Sequence, residues 1–414
     1  MYRGTPPGFW EIYRGDPVTG TVLQRLTERL DAGIMLHKGY FKTDIASYVR
    51  NRDNIFFGAA NWPARLCRQI QARQGAVLET ESSSTTAPIY RAPNSLQLLS
   101  FLWTSWWAWI ANQSRALFRF QQWSVGIIDA PIMQVAGLVG SNQDNLVRSA
   151  RWLPEPAGRF LADPLAMKNG SGLTLLVEDY DWSTELGHIA AVEVRHDGAI
   201  GPPRPAIRLP THLSYPFLLE VDVDLYCIPE SSQSGEVTLF RASEDRHEWI
   251  KVATLIKGAP IIDPTIFRHG EKWWLFGTRA DAGDNFNLFA WHADELVGPW
   301  TAHLANPIKT DVRSSRPAGP PFVYEGDLYR PAQDCSTGYG NAVVVNRVKV
   351  LTAEQFEEEV VSRVAPDPKG IYPTGLHTLC GLDKTTIIDG SRSAFLPGVT
   401  VRAIRRKLGR LLLG

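Results

Sequence analysis

The 414-residue chain predicts a mainly β fold, a five-bladed β-propeller preceded by a small α/β fragment. Three observations carry this. First, a strand–turn–strand unit recurs five times, opening at Asp163, Tyr215, Asp263, Gly319 and His377. These openings fall within the period of roughly 40–60 residues that marks a propeller blade. Second, the spacing inside a copy is fixed: the interval from Asp163 to Glu178 is repeated from Tyr215 to Glu230, from Asp263 to Thr278 and from Gly319 to Asp334. Third, strand-like runs follow the first four pairs, namely Ile189–Val194, Glu236–Phe240, Asn287–Trp291 and Ala342–Val345. First strands of blades line the axis, so the opening residues converge there although far apart in sequence.

Composition is that of an ordinary globular chain, 44% hydrophobic and 21% charged, with 43 basic and 43 acidic residues. With a net charge of zero, nothing global argues for nucleic acid as a partner. Cys67, Cys227, Cys335 and Cys380 are scattered without metal-ligand spacing and read as reduced thiols of a cytosolic protein. The N-terminus has no signal-peptide pattern. No cofactor is expected, and no His/Asp cluster has convincing ligand spacing, so no metal ligands are assigned, with a Ca²⁺ ion on the axis left open.

In chain order, residues 1–75 come first. Gly15-Asp16-Pro17-Val18-Thr19-Gly20 is a turn, Thr21–Leu26 a strand, and Asp31-Ala32-Gly33 a turn into Ile34–Leu36. Tyr2-Arg3-Gly4 with Pro6-Pro7, Gly15-Asp16…Thr19-Gly20 and Leu30-Asp31-Ala32-Gly33 together resemble the second half of a formyltransferase domain, of the type using 10-formyltetrahydrofolate. The resemblance implies that Asp31 matches the family's catalytic Asp and that its Asn-x-His partner belongs upstream of Tyr2. With no partner in reach, no formyl transfer is expected here. Asp31 reads either as a remnant of that site or as a turn residue, and the chain as a fragment of a sugar formyltransferase is a further alternative.

Residues 76–122 read as a polar linker followed by an apolar, Trp-rich helix over 96–111. That helix is shorter than the roughly 20 residues a bilayer span needs. It is either packed between the two domains or laid on a membrane surface. The tail, 398–414, has Val401, Ile404, Leu408, Leu411 and Leu412 at helical spacing, with Arg402, Arg405, Arg406, Lys407 and Arg410 on the other faces. It is either a solvated helix or, with 96–111, a peripheral contact through 401–412 to the inner face of a membrane.

The ring is expected over 123–397. On its axis Asp163, Asp263, His377, Arg316, His212 and Tyr215 would form a polar funnel suited to hydroxyl-rich ligands. Asp163 and Asp263 close together would push one carboxyl up and make an acid–base pair. The structural alternative is that Asp-Pro opens each inner strand and caps backbone amides. Arg316 and Arg330 read as anion ligands or as ion pairs between blades.

The set Asp163-Pro, His212-Leu-Ser-Tyr215-Pro, Pro229-Glu230, Asp263-Pro-Thr-Ile-Phe, Arg316-Pro-Ala-Gly, Arg330-Pro-Ala-Gln-Asp334-Cys and Leu376-His377-Thr resembles the N-terminal, five-bladed domain of the glucosamine inositolphosphorylceramide transferase family. Plant-type members carry a glycosyltransferase domain after the propeller, which the sequence up to Gly414 does not include. The ring is also similar to five-bladed glycoside hydrolases of the arabinanase and fructosidase type. That resemblance implies Asp163 and Asp263 as catalytic carboxylates and an acid at the start of the next blade. There the chain has Arg313, Arg316 and Gly319, so Glu230, or else Asp334, is the expected substitute.

The expectation is therefore a carbohydrate-active protein of surface glycan or glycolipid synthesis. Asp163, Asp263 and Glu230 are the catalytic candidates; His212, Tyr215, Arg316, Arg330, Asp334 and His377 are the binding ones. The ligand would be a carbohydrate, nucleotide-sugar or glycolipid. The rival is a non-catalytic glycan-binding module serving a partner transferase.

Overall fold

The computed structural model describes residues 2–28, 33–72, 88–140, 142–170 and 172–413. Five antiparallel sheets of four or more strands ring a common axis. Blade 1 runs from the inner strand Arg159–Asn169 outward through Gly172–Asp181, Leu186–Val194 and Arg204–Ile207. Blade 2 runs Ser214–Val221, Asp224–Glu230, Glu236–Ala242, Trp249–Lys257. Blade 3 runs Ile261–His269, Lys272–Arg279, Asn287–Ala293, Thr301–Ala302. Blade 4 runs Phe322–Tyr324, Asp327–Asp334, Ala342–Leu351, Phe356–Val364.

Blade 5 closes the ring. Its inner strands, Leu379–Leu382 and Thr385–Ala394, are C-terminal; its outer strands, Phe120–Ile128 and Arg151–Trp152, precede blade 1 in the chain. The seam pairs Thr386 with Ile128 through to Ala394 with Phe120. Sealing the first and last strands to each other closes the ring, leaving as edges only the inner and outer strand of each blade.

The inner strands of blades 1, 2 and 3 open on a bulge, and the sequence dictates it. Register shifts fall between Ala162 and Leu165, Ser214 and Phe217, and Ile262 and Thr265. Each is an X-Pro step (Asp163-Pro164, Tyr215-Pro216, Asp263-Pro264), and Gly319-Pro320 repeats it in blade 4. A proline at an unpaired bulge position leaves no amide without an acceptor. The residue before it takes a left-handed backbone: φ is 51° at Asp163, 39° at Tyr215, 49° at Asp263 and 127° at Gly319. Gly319 alone lacks a side chain because a Cβ there would stand 2.2 Å from the Leu379 carbonyl oxygen.

The core lies between the sheets, with Leu165, Leu175, Val177, Ala190, Phe217, Ile228, Leu239, Ile266 and Leu275 buried along the alternating inner faces. The N-terminal region packs outside the ring. It has a helix, Phe9–Arg14, a hairpin of Val18–Arg25 with Ile34–Lys42, and helices Tyr48–Ala59 and Trp62–Ala72. It docks on blade 3 through a bridge of Tyr40 with Asp311, Phe41 against Phe286, and an Arg65 Nη1 bond of 2.7 Å to the Pro307 carbonyl. The first hairpin strand begins earlier than the sequence predicts, at Val18, and the second runs on to Lys42. Asp31 lies outside the described residues.

The Trp-rich helix spans Ser95–Phe118, longer than expected at both ends. Its start is set by a capping box in which Asn94 Oδ1 accepts the Gln97 amide and Gln97 Oε1 accepts the Asn94 amide, both at 2.9 Å. It is not enclosed between two domains: Phe101 is its one buried residue. An apolar surface all round reads as a buried helix, but here the neighbours cover a single stripe. The last helix, Pro397–Leu413, lies against it.

Candidate functional site

The opening amides of all five blades are capped by side chains from the axis. Asp389 Oδ2 accepts from Asp163 N at 3.2 Å, Asp163 Oδ2 from Tyr215 N at 3.1 Å, and Glu230 Oε2 from Asp263 N at 3.3 Å. The Tyr215 hydroxyl accepts from Gly319 N at 2.9 Å, and Asp389 Oδ1 from His377 N at 2.8 Å. All but the last of these bonds bind one blade to another, because the left-handed openings turn their N–H groups out of the sheet toward the axis. A buried amide needs such an acceptor.

Above this ring of bonds is a cavity of about 220 Å³ lined by Trp123, Phe160, Asp163, Glu178, Tyr180, His212, Glu230, Arg316, Tyr339 and His377, with Ala162 and Ser214. Of the residues expected on the axis, Asp163, Glu230, His212, Arg316 and His377 therefore meet on one surface. Asp263 sits behind it. Arg316 Nε donates to Asp263 Oδ2 at 2.6 Å and Gln333 Nε2 to the same oxygen at 3.0 Å.

Three of the binding candidates have their polar atoms committed elsewhere. The Tyr215 hydroxyl is fully buried between Thr265 Oγ1, at 2.9 Å, and the Gly319 amide. Arg330 pairs with Glu358 at 2.6 Å and donates to the Ser314 and Ser315 carbonyls. It ties the second and fourth strands of its own blade together, so it is neither a cavity residue nor a pair between blades. Asp334 caps Ser336 N at 3.1 Å and accepts from Arg363 at 3.3 Å. A turn and a surface arginine account for it.

Glu178 is the residue the sequence reading passed over. It pairs in register with Ala162 as Glu230 pairs with Ser214, and it follows its blade opening at the same interval as Glu230 follows Tyr215. That spacing was the available signal. Gly187 N donates to His212 Nδ1 at 2.8 Å, which leaves the ring proton on Nε2, 3.5 Å from Glu178 Oε1. Asp389, Trp123 and Tyr339 were also overlooked. Trp123 stacks on His377 at 3.9 Å with planes 12° apart, and Tyr339 meets the same ring edge-on at 5.3 Å.

Burial dominates the electrostatics. It pushes Asp163 up to about 6, with His377 pulling back and Asp263 and Asp389 adding to the push. Glu178 is pushed well above the carboxylate range by burial and then by Asp163, Glu230, Asp263 and Asp389. Asp263 is pushed to about 7 by burial against the pull of Arg316. Burial lowers His212. It also opposes the charge on His377, but Asp389 and Asp163 outweigh it and the ring is raised.

His377 lies between two carboxylates: Nδ1 contacts Asp389 closely and Nε2 is 3.7 Å from Asp163 Oδ1. These three are the group of metal-ligating side chains found among the described residues, their ligand atoms within 4.8 Å of one another. They satisfy each other as an imidazole between two acids, and a cation would have to displace those contacts.

Fold and site define a class: a five-bladed propeller with an acidic, aromatic-walled cavity at one mouth of its axis. Residues 152–378 match the family described as glucosamine inositolphosphorylceramide transferase 1, N-terminal, and the chain belongs to that family. Among curated relatives it is 35% identical over 212 residues to glucosamine inositolphosphorylceramide transferase 1 of Oryza sativa subsp. japonica, covering 49% of this chain and 28% of that protein. It is 35% identical over 205 residues to the Arabidopsis thaliana protein of the same name, covering 48% and 27%. The match thus spans little more than a quarter of these relatives' length. Similar solved structures include an exo-beta-1,3-galactanase from Clostridium thermocellum, 12% identical with a TM-score of 0.41 over 52% of this chain and 54% of that one. A family 117 glycoside hydrolase from Zobellia galactanivorans is 14% identical with a TM-score of 0.41 over 67% and 91%.

Proposed function

We propose that the propeller takes a carbohydrate group in its axial cavity and acts on it by glycosyl transfer or hydrolysis, in the synthesis or modification of a surface glycan or glycolipid. One observation carries the reading: three carboxylates, two histidines and an arginine meet between aromatic walls in a space that suits one sugar ring. Aromatic faces take the apolar side of a sugar and the carboxylates its hydroxyls. The name of the curated relatives points to a sugar and an inositolphosphorylceramide as substrate class.

The chemistry follows from the two carboxyls with separated proton affinities. Glu178, held protonated by its surroundings, gives its proton to the departing glycosidic oxygen as the bond from the anomeric carbon breaks. Asp163, ionised above about 6, takes the proton of the attacking hydroxyl or water as the new bond forms. Glu230, its oxygens held by Asp263 N and Ser232 Oγ, orients hydroxyls.

A second reading, a module that holds a glycan for a partner transferase, is favoured by Asp163 and Asp263 being engaged by protein donors. A thermal-shift screen of sugars, nucleotide-sugars and glycolipid headgroups separates the two. Catalysis predicts that a ligand stabilises both wild type and Glu178→Gln and is turned over by wild type alone. Turnover by neither protein supports the holding role. A screen in which no sugar stabilises wild type overturns both.

A further inference from the structure

The helix Ser95–Phe118 meets the protein along Gln97, Phe101, Ser105 and Ala108, spaced as one helical stripe, with Phe101 stacked on Phe9 at 4.5 Å. The rest of its girth is open. Trp103, Trp106, Trp107 and Trp109 are 63, 50, 49 and 47% exposed, beside exposed Leu99 and Leu102. Four exposed tryptophans on one helix form a patch that a water-facing surface does not keep without a partner. The helix Pro397–Leu413 lies alongside, with Lys407 Nζ 2.6 Å from Gln113 Oε1. Together the two helices carry Arg115, Arg402, Arg405, Arg406 and Lys407 and no acidic residue, in a chain with equal numbers of acids and bases overall; Arg406 is paired with Glu185 from outside the two helices.

This charge selects the occupant. Self-association through the patch would bring two basic faces together. An anionic lipid surface complements the basic residues and takes the tryptophans at headgroup level. No described helix is long and apolar enough to cross a membrane, which leaves lying on it.

The patch also has a defined place relative to the cavity. Arg402 donates to the Trp182 carbonyl. The Trp182 ring packs at 5.1 Å on Tyr180 and 5.5 Å on Phe160, both cavity residues, and at 5.8 Å on Phe120, just past the long helix. We infer that the two helices form a docking platform for an anionic lipid surface and hold the cavity mouth beside it. Docking is independent of the sugar chemistry, because it is read on residues outside the cavity.

The test is partition of the full chain onto vesicles of phosphatidylcholine with and without phosphatidylglycerol, at low salt, followed by sedimentation and tryptophan emission. The expected result is binding to the anionic vesicles with a blue shift. The triple variant Trp103→Ser/Trp106→Ser/Trp107→Ser should weaken binding at least about tenfold. Arg115→Glu/Arg405→Glu, which leaves the apolar face intact, should abolish the preference for anionic lipid. Absence of partition overturns the inference, as does partition unchanged in both variants. A wild-type dimer that the tryptophan variant converts to monomer also overturns it, by assigning the face to a second copy.

Discussion

Asp163 accepts the backbone N–H of Tyr215 across the boundary between blades 1 and 2, at 3.1 Å. The same carboxylate faces the cavity, so one residue both joins two blades and presents an acid to the axis. Asp163→Ala leaves the Tyr215 amide buried without its acceptor and should cost about 1–3 kcal/mol in a denaturation midpoint. Asp163→Asn keeps an acceptor oxygen there and should cost less, while losing turnover. Equal stability of the two variants would deny the capping role.

The pH dependence of wild type and Asp163→Asn has a fixed sign. Asp163 titrates near 6 in the folded chain, above an ordinary aspartate. Its contribution to stability is complete below the unfolded value and is lost as pH rises through about 6. The stability of Asp163→Asn relative to wild type should therefore rise between about pH 4 and 7, by on the order of 1–3 kcal/mol. Turnover in wild type should rise as Asp163 ionises near 6 and fall at higher pH as Glu178 loses its proton.

Asp263 and Arg316 are a buried pair bonded at 2.6 Å. Removing one partner strands the other, so Asp263→Ala and Arg316→Met should each cost about 3–5 kcal/mol by urea unfolding. The double variant should cost clearly less than the sum of the two. Simple additivity would mean that the pair is not coupled.

Arg330 provides a control outside the cavity. It is bonded to Glu358 and to two carbonyls. Arg330→Met should lower the melting temperature and leave ligand affinity, measured below the transition, unchanged. A loss of affinity in a fully folded variant would return Arg330 to the site.

Gly187 tests the Glu178–His212 arrangement. A Cβ there would stand 2.6 Å from Glu178 Oε1 and from the Leu213 carbonyl oxygen, and 2.8 Å from the His212 ring. Gly187→Ala should displace both side chains and reduce ligand affinity at least about tenfold by calorimetry, with a stability loss of about 1–3 kcal/mol.

What the sequence made legible was what repeats locally. The X-Pro openings and the fixed spacing behind them placed Asp163 and Glu230 on the axis, because register in an antiparallel pair is set by the chain itself. The same spacing pointed to Glu178. Asp389 breaks it, standing closer behind His377 than Glu178 stands behind Asp163. The strand Phe120–Ile128 enters blade 5 by pairing with Thr386–Ala394 at the other end of the ring's sequence, which no local pattern announces. Trp123 comes to His377 through this distant pairing, and Tyr339 from the turn between Asp334 and Ala342. Arg330 and Asp334 have the residue types of a site, but their partners Glu358 and Arg363 come from a strand beyond their own motif.

The most direct test is a calorimetric titration of the best sugar ligand into wild type, Tyr180→Ala and Glu178→Gln. Tyr180 is a half-buried ring on the cavity wall. Its loss should weaken binding by about 1–3 kcal/mol, whereas Glu178→Gln should bind nearly as wild type and fail to turn over. Unchanged affinity in Tyr180→Ala together with unchanged turnover in Glu178→Gln would place the sugar elsewhere and contradict an axial site.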